Sequence, residues 1–315
     1  MDLHLTTPNT IRHIREFPFD YEGKVVATVI ESRNNKREGQ AARQTILYVH
    51  GFSDYFFQEH LMEAYNQIEV DFYALDLRKY GRSLLAHQHP NFCRSLKEYF
   101  EDLDYAINFI KTKNPETQLV LMGHSTGGLL VSYYAHNGAL RYQIAGLILN
   151  SPFLDFNMPK LVKWCIPSVS DLMVKLNPYA SFKGGVSNVY GESLLKRCHG
   201  EWEYNENWKP IKAFPAFYAW ISAVHSAQST IKNKSLDLPI LLMHSDKSLK
   251  LKKWNPKAQE ADLVLNVADI ERIGLKMGTK VSHFVAKKGL HDLFLSQKTV
   301  RDVVFQQTRT WLEKL

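Results

Sequence analysis

The sequence predicts a mostly parallel β-sheet with helices on both faces, interrupted after its sixth strand by an insert. Three observations predict it. Apolar runs of buried-strand character recur at TILYVHG (45–51), FYALDLR (72–78), QLVLMGHS (118–125) and IAGLILNSP (144–152). Helix-period segments lie between them, as where Leu96, Tyr99, Phe100, Leu103, Ala106, Ile107 and Ile110 recur at helical spacing. From residue 153 to 235 the alternation stops, and it resumes with LPILLMHS (238–245) and VSHFVAKKG (281–289). Strands that are apolar on both faces and joined by helices must be covered on both sides, which is the condition of a parallel sheet.

In chain order, FPFDYEGKVVATVIES (17–32) reads as a hairpin turning at Glu22-Gly23, and the four apolar runs follow it as strands three to six. The core is expected over residues 1–152 and 236–315, ending in a helix from about Ser296 to Leu315. Residues 153–235 are expected to form a lid, rich in aromatics such as Trp164, Trp202, Trp208, Phe214 and Trp220. An insert that follows the C-terminal end of a strand overhangs the edge where open α/β sheets bind ligands.

Composition narrows the class. At 315 residues and 45% hydrophobic, the chain can bury a large core, and its 16 Gly and 12 Pro exclude a low-complexity chain. The cysteines Cys93, Cys165 and Cys198 are too scattered for a disulfide framework or a CxxC metal site, which favours a reducing compartment. MDLHLTTPNTIRHIREF at the N-terminus lacks the apolar stretch of a signal peptide, so the expected location is the cytoplasm. The net charge of +7 suits an anionic partner. The densest basic cluster, KSLKLKKW (247–254), falls in a loop without any RNA- or DNA-binding signature, so an anionic lipid surface touched transiently is the partner to consider and nucleic acid is not.

The chemistry centres on Gly123-His124-Ser125-Thr126-Gly127-Gly128, placed between a strand and a helix. A G-x-S-x-G pattern is a weak signal alone and a strong one in that context. Serine on so sharp a turn takes a strained backbone, and glycine on both sides avoids clashes. The turn exposes the hydroxyl and brings the N–H of Thr126, at a helix N-terminus, near a developing oxyanion. The second donor is expected from the loop after the third strand, where His50-Gly51 is followed by the N–H of Phe52. His50 itself, at a strand end, is expected to be structural. AHQHPNFC (86–93) gathers two histidines and a cysteine but has no fourth ligand and no recognised zinc spacing. No metal-protease, P-loop or dinucleotide motif is present, and the chemistry implied needs no cofactor and no metal.

The strand-HG loop at 45–52, DLRKYGRS (76–83), GHSTGG (123–128) and GLHD (289–292) together resemble the α/β-hydrolase superfamily. Within it they resemble the monoacylglycerol lipase and lysophospholipase-like branch, which serine aminopeptidase-type hydrolases also join. That branch often reads D-x-R-G-x-G-x-S; Asp76, Arg78, Gly81 and Ser83 match, and Lys79 replaces the glycine. The resemblance implies a serine hydrolase acting on acyl esters such as monoacylglycerol or lysophospholipid. The alternatives are an aminopeptidase or amidase, for which Glu201, Glu203 and Glu206 would hold an amino terminus, and a non-catalytic scaffold.

The superfamily's chain order of serine, acid, histidine puts the base after the last strand. His291, in a loop beyond Gly289, fits; His283 lies inside the strand and is expected to be structural. For the acid, a helix, a strand and two short loops need roughly 25–30 residues before the histidine. Asp262 stands 29 residues before His291, Asp246 stands 45 before it and Asp269 stands 22 before it. The count favours Asp262, with Asp246 as the alternative, and turns SDKSLKLKKWNPKAQE into an inserted loop. Asp54 and Tyr55, just past the oxyanion loop, are the candidate substrate contacts.

Overall fold

The computed structural model describes residues 9–35, 42–182 and 187–315. The signal-peptide reading of the N-terminus rests in part on residues 1–8, which lie outside the described residues, as do residues 183–186 of the insert. Eight strands form one sheet: β1 (Thr10–Asp20), β2 (Gly23–Ser32), β3 (Gln44–Val49), β4 (Asp71–Asp76), β5 (Gln118–His124), β6 (Ile144–Asn150), β9 (Ile240–Ser245) and β10 (Val281–Ala286). Two short strands between β6 and β9, β7 (Ser181–Phe182) and β8 (Ala216–Phe217), pair only with each other.

The sheet order is β1-β2-β4-β3-β5-β6-β9-β10. Strand β2 runs antiparallel to β1 and β4, and the six strands from β4 to β10 are parallel. The expected hairpin is present, and its first strand starts earlier than the apolar pattern showed, because the β1 side chains are half-buried or exposed and carry no periodic apolar signal. The helices α1 (Glu59–Gln67), α2 (Phe100–Lys113), α3 (Thr126–Asn137) and α7 (Val267–Gly274) connect the strands, and α8 (Lys298–Leu312) follows the last of them. Helix α7 is shorter than the loop count supposed. Between β3 and β5 the strand order reverses, β4 going to one side of β3 and β5 to the other. A crevice at the strands' C-terminal ends opens at such a switch point.

Lys79, where the resemblance led us to expect glycine, has φ of 64°, a left-handed conformation that costs a non-glycine residue on the order of 1 kcal/mol. The side chain anchors the turn. It is fully buried, with Nζ 2.7 Å from Asp20 Oδ2 and 2.7 Å from Glu22 Oε2, and it lies over the Tyr21 ring. The loop after β4 is thereby tied to the β1–β2 turn, away from the cavity.

The segment between β6 and β9 contains α4 (Lys160–Leu176), α5 (Asn188–Leu194) and α6 (Tyr218–Asn233). It is not uniform. Helix α6 buries Trp220, Ala223, Val224, Ala227 and Ile231 in the same apolar cluster as α3 and the sheet, so it completes one covering layer of the core. Helix α4 packs on α6 and leaves a broad apolar face in solvent: Leu161 is 75% exposed, Trp164 79% and Leu176 72%. Lys163, also on α4, turns inward to Asp155 and Asp269 at 2.6 and 2.9 Å. Among the described residues no helix is long and apolar enough to cross a membrane.

Candidate active site

Ser125 sits where β5 turns into α3, with φ of 52° and ψ of −116°. The turn is locked by its surroundings. The Ser125 N–H donates to Asn150 O at the end of β6 (3.0 Å), and Ser125 O accepts from Phe153 N–H (3.0 Å). The flanking glycines are sterically required: a Cβ on Gly123 would stand 2.5 Å from Gly127 O, and one on Gly127 would stand 2.3 Å from Val49 O. Helix α3 can therefore start hard against β3. A Cβ on Gly51 would meet Ser125 Cβ at 3.1 Å, so Gly51 packs closely against the serine. Phe52 and Thr126 both line the cavity beside Ser125.

His291 Nε2 lies 2.9 Å from Ser125 Oγ, and its Nδ1 lies 2.8 Å from Asp262 Oδ2. Both His291 and Asp262 are buried. Asp262 Oδ1 accepts the N–H groups of Val264 (2.7 Å) and Leu265 (2.8 Å), which fixes the carboxylate plane. With a carboxylate accepting at Nδ1, the imidazole proton resides there and the Nε2 lone pair faces the serine hydroxyl. The three side chains thus form one continuous hydrogen-bonded chain.

The loop 246–261 explains how an aspartate so far beyond β9 reaches this place. Asp262 N–H donates to Lys247 O, and Leu249 N–H donates to Asp262 O, both at 2.9 Å. The chain leaves the sheet at Lys247, loops out and returns beside its own departure point. Asp246 is exposed and accepts the Lys288 N–H (2.8 Å), capping the turn after β10. Asp269 lies in α7 and pairs with Lys163 and Arg272. Neither of them is His291's partner.

The remaining histidines divide by environment. His50 is buried, accepts Leu77 N–H at Nε2 (3.2 Å) and meets Gly51 O at Nδ1 (2.8 Å); burial holds its pKa below the usual imidazole value. His283 meets His244 across β9 and β10 at 2.8 Å. His89, from the histidine-rich stretch, pairs with Glu22 and stacks on Tyr179, while Cys93 is buried with its pKa pushed up by desolvation. His124, beside the nucleophile turn, is buried and pushed down to about 4, desolvation being the main cause.

The candidate substrate contacts part company. Asp54 lines the cavity, but its Oδ1 is 2.7 Å from Lys209 Nζ. Tyr55 does not line it: the hydroxyl accepts Asn205 N–H (2.7 Å) and the ring packs edge-on to Trp208, so its contact is with the insert. The expectation for Tyr55 is corrected accordingly: its hydroxyl and ring are committed to Asn205 and Trp208, while Asp54 faces the cavity.

Several site residues escaped sequence reasoning. Asp292, next to His291, is buried and accepts from Asn150 Nδ2 (2.7 Å), Phe294 N–H (3.1 Å) and Gln58 Nε2 (3.2 Å), clamping the histidine loop to β6 and to the loop after β3. Its place directly after the histidine and before Leu293-Phe294 was a legible N-cap signal. Tyr190, from α5, presents its ring edge-on to His291 with centroids 5.6 Å apart. Nothing in the sequence pattern marked Tyr190 or Lys209.

The cavity above Ser125 measures about 800 Å³. Its floor is the sheet edge with Ser125, His291 and Phe52, and its opposite wall is largely apolar, including Phe156, Phe214, Trp220 and Ile221. Asp54 is the one carboxylate among the described lining residues. Glu201, Glu203 and Glu206 lie outside it, paired with Arg301, Lys196 and Arg197 respectively.

A strained serine at a strand–helix turn, met by a histidine and a buried aspartate at the C-terminal edge of a parallel sheet, defines an α/β-hydrolase. Residues 40–249 match the family described as Serine aminopeptidase, S33, and the chain belongs to that family. It is 28% identical over 147 residues to a Schizosaccharomyces pombe protein provisionally named a monoglyceride lipase, covering 46% of this chain and 38% of that one. It is 25% identical over 137 residues to a monoacylglycerol lipase of Mycolicibacterium smegmatis, covering 43% of this chain and 46% of that one. The chain thus spans less than half the length of either relative. In fold it is similar to a variant of monoglyceride lipase from Saccharomyces cerevisiae in complex with a substrate analog, with a TM-score of 0.70 at 17% identity over 98% of this chain and 96% of that one. It is also similar to a carboxyl esterase from Bacillus coagulans in complex with glycerol, with a TM-score of 0.66 at 14% identity over 96% and 98% of the two chains.

Proposed function

We propose that this chain hydrolyses carboxylic esters through an acyl-enzyme on Ser125, with His291 as general base, Asp262 as its orienting acid, and the N–H groups of Phe52 and Thr126 as the oxyanion hole. The observation that carries the reading is the continuous chain Ser125 Oγ–His291 Nε2 and His291 Nδ1–Asp262 Oδ2, at 2.9 and 2.8 Å. Ser125 Oγ attacks the ester carbonyl carbon as its proton passes to His291 Nε2. The negative charge on the former carbonyl oxygen is met by the two backbone donors. Collapse breaks the C–O bond, and His291 returns the proton to the departing alkoxide. Water then repeats the sequence, with His291 again as base, and releases the carboxylic acid.

The substrates we propose are acyl monoesters of medium or long chain, of monoacylglycerol or lysophospholipid type. The apolar wall supports an acyl chain, and residues 153–235 act as the lid that supplies it. The names of the relatives agree with that class, and the family description keeps amide substrates as the competing reading. The lining argues against those, because Asp54 is already neutralised by Lys209 and the three glutamates that would hold an amino terminus are engaged elsewhere. Met158, two residues before α4, and Phe182, six residues after it, are exposed and also line the cavity. We propose that the exposed apolar face of α4 meets a lipid surface, from which an acyl substrate can enter without crossing water.

A chain-length series of p-nitrophenyl esters run beside aminoacyl anilides tests the reading. We expect turnover of esters, with kcat/KM rising from acetate towards medium chains, and little on the anilides. Anilide turnover exceeding ester turnover would overturn the substrate assignment.

A further inference from the structure

The insert reaches into the floor of the site at one charged contact that the proposed chemistry leaves unexplained. Lys209 Nζ lies 2.7 Å from Asp54 Oδ1, and both residues are buried at the cavity wall. A buried ion pair gains little net stability, because desolvation of two charges offsets their attraction. Its position is more informative than its energy. Asp54 stands two residues beyond Phe52, and between them Ser53 adopts φ of 52°, a left-handed conformation that serine takes only under constraint. The constraints come mainly from outside the loop. Ser53 N–H donates to Asn91 Oδ1 (3.1 Å), Ser53 Oγ accepts Phe214 N–H (3.1 Å), and Asp54 faces Lys209. Phe214 and Lys209 both belong to the insert.

We infer that Lys209 is a positioning residue for the oxyanion loop: its ion pair with Asp54 holds the strained Ser53 turn, and with it the Phe52 N–H, over Ser125. The inference rests on the reading of Phe52 as an oxyanion donor. It makes the insert a determinant of turnover as well as of access. A donor displaced by about 1 Å forfeits much of its transition-state stabilisation and little ground-state binding. Loss of the pair therefore lowers kcat and leaves KM nearly unchanged, since the apolar wall that binds the acyl chain is untouched.

The test uses the full-length protein and p-nitrophenyl butyrate, with Lys209→Met, Asp54→Asn, the double variant and Lys209→Arg. Circular dichroism and thermal melting check that each folds, and fluorophosphonate labelling checks that Ser125 remains reactive. Each single variant is expected to lose about 10²-fold in kcat with KM within about twofold. The double variant should be no worse than the worse single one, because both remove the same interaction, and it leaves no unpaired charge if a single variant fails to fold. Lys209→Arg should recover most of the rate. Single-variant losses that multiply in the double variant, a change confined to KM, or kcat within about twofold in the double variant would overturn the inference. Absence of Ser125 labelling in the unmodified protein would instead overturn the reading of the site on which it rests.

Discussion

The two walls of the cavity are built differently. At the sheet edge, His291, Asp262 and Asp292 are buried and each is fixed by at least two polar contacts, anchored in turn to β6 and to the loops after β3 and β9. The facing wall, contributed by the insert, is mainly aromatic and aliphatic, and its ion-paired Lys209 is the charge it shares with the floor. Polar groups in a buried site cost free energy unless fully partnered, so the edge tolerates few alternatives. An apolar wall asks only for volume and shape, which many sequences supply. The first wall should be intolerant of isosteric changes and the second forgiving of them.

The sharpest way to break that contrast is at Asp262. Asp262→Asn keeps the shape but presents an amide to His291 Nδ1, favouring the wrong tautomer, and should lower kcat by about 10³–10⁴-fold in steady-state ester hydrolysis. Next is Gly127→Ala. Its methyl group would have to occupy the space of Val49 O and His50 O, and a loss of about 3 kcal/mol is expected in denaturant unfolding. Acid should act on the same wall. His124 is held neutral in the folded protein with its pKa pushed down to about 4, below the usual value near 6.5, so between those values the unfolded chain binds the extra proton. Its contribution is fully present above about pH 6.5 and is lost as pH falls towards 4, on the order of 3 kcal/mol, and thermal melts across that window should show it. His124→Gln should flatten the dependence.

On the insert the expected effects are smaller and depend on how substrate is presented. Replacing Trp164 and Leu172, both exposed on α4, by serine should lower turnover of a long-chain monoester in vesicles by about tenfold. The same change should leave hydrolysis of a short water-soluble ester within about twofold. An equal loss on both substrates would mean that the face serves folding rather than a lipid surface. The smallest effect belongs to Asp246→Asn, which removes one exposed turn cap and should change kcat by less than about twofold.

What could be read from the sequence follows the same division. The sheet announced itself because strands covered on both faces are continuously apolar, and the serine turn because a Cβ on its glycines would come within 2.3–2.5 Å of neighbouring backbone oxygens. Asp262 emerged from counting elements, and α7 is shorter than that count assumed. The connections at 263–266, 275–280 and 287–290 make up the difference. Tyr55 was misread because a loop gives no period from which to infer which side chain faces the cavity. Lys209 and Tyr190 were invisible for a related reason: their partners lie 155 and 101 residues away in sequence, at Asp54 and His291, and only the folded insert brings them there. Helix α6 was grouped with the insert because no strand of the main sheet lies between residue 153 and its start, although its apolar face belongs to the core.

The central claim is that Ser125 is the nucleophile, activated by His291. Treating the purified protein with a fluorophosphonate and locating the adduct by mass spectrometry tests it most directly. We predict stoichiometric modification at Ser125, none in Ser125→Ala, and labelling slowed by orders of magnitude in His291→Ala. Labelling that persists in Ser125→Ala, or no adduct on the unmodified protein, would contradict the account.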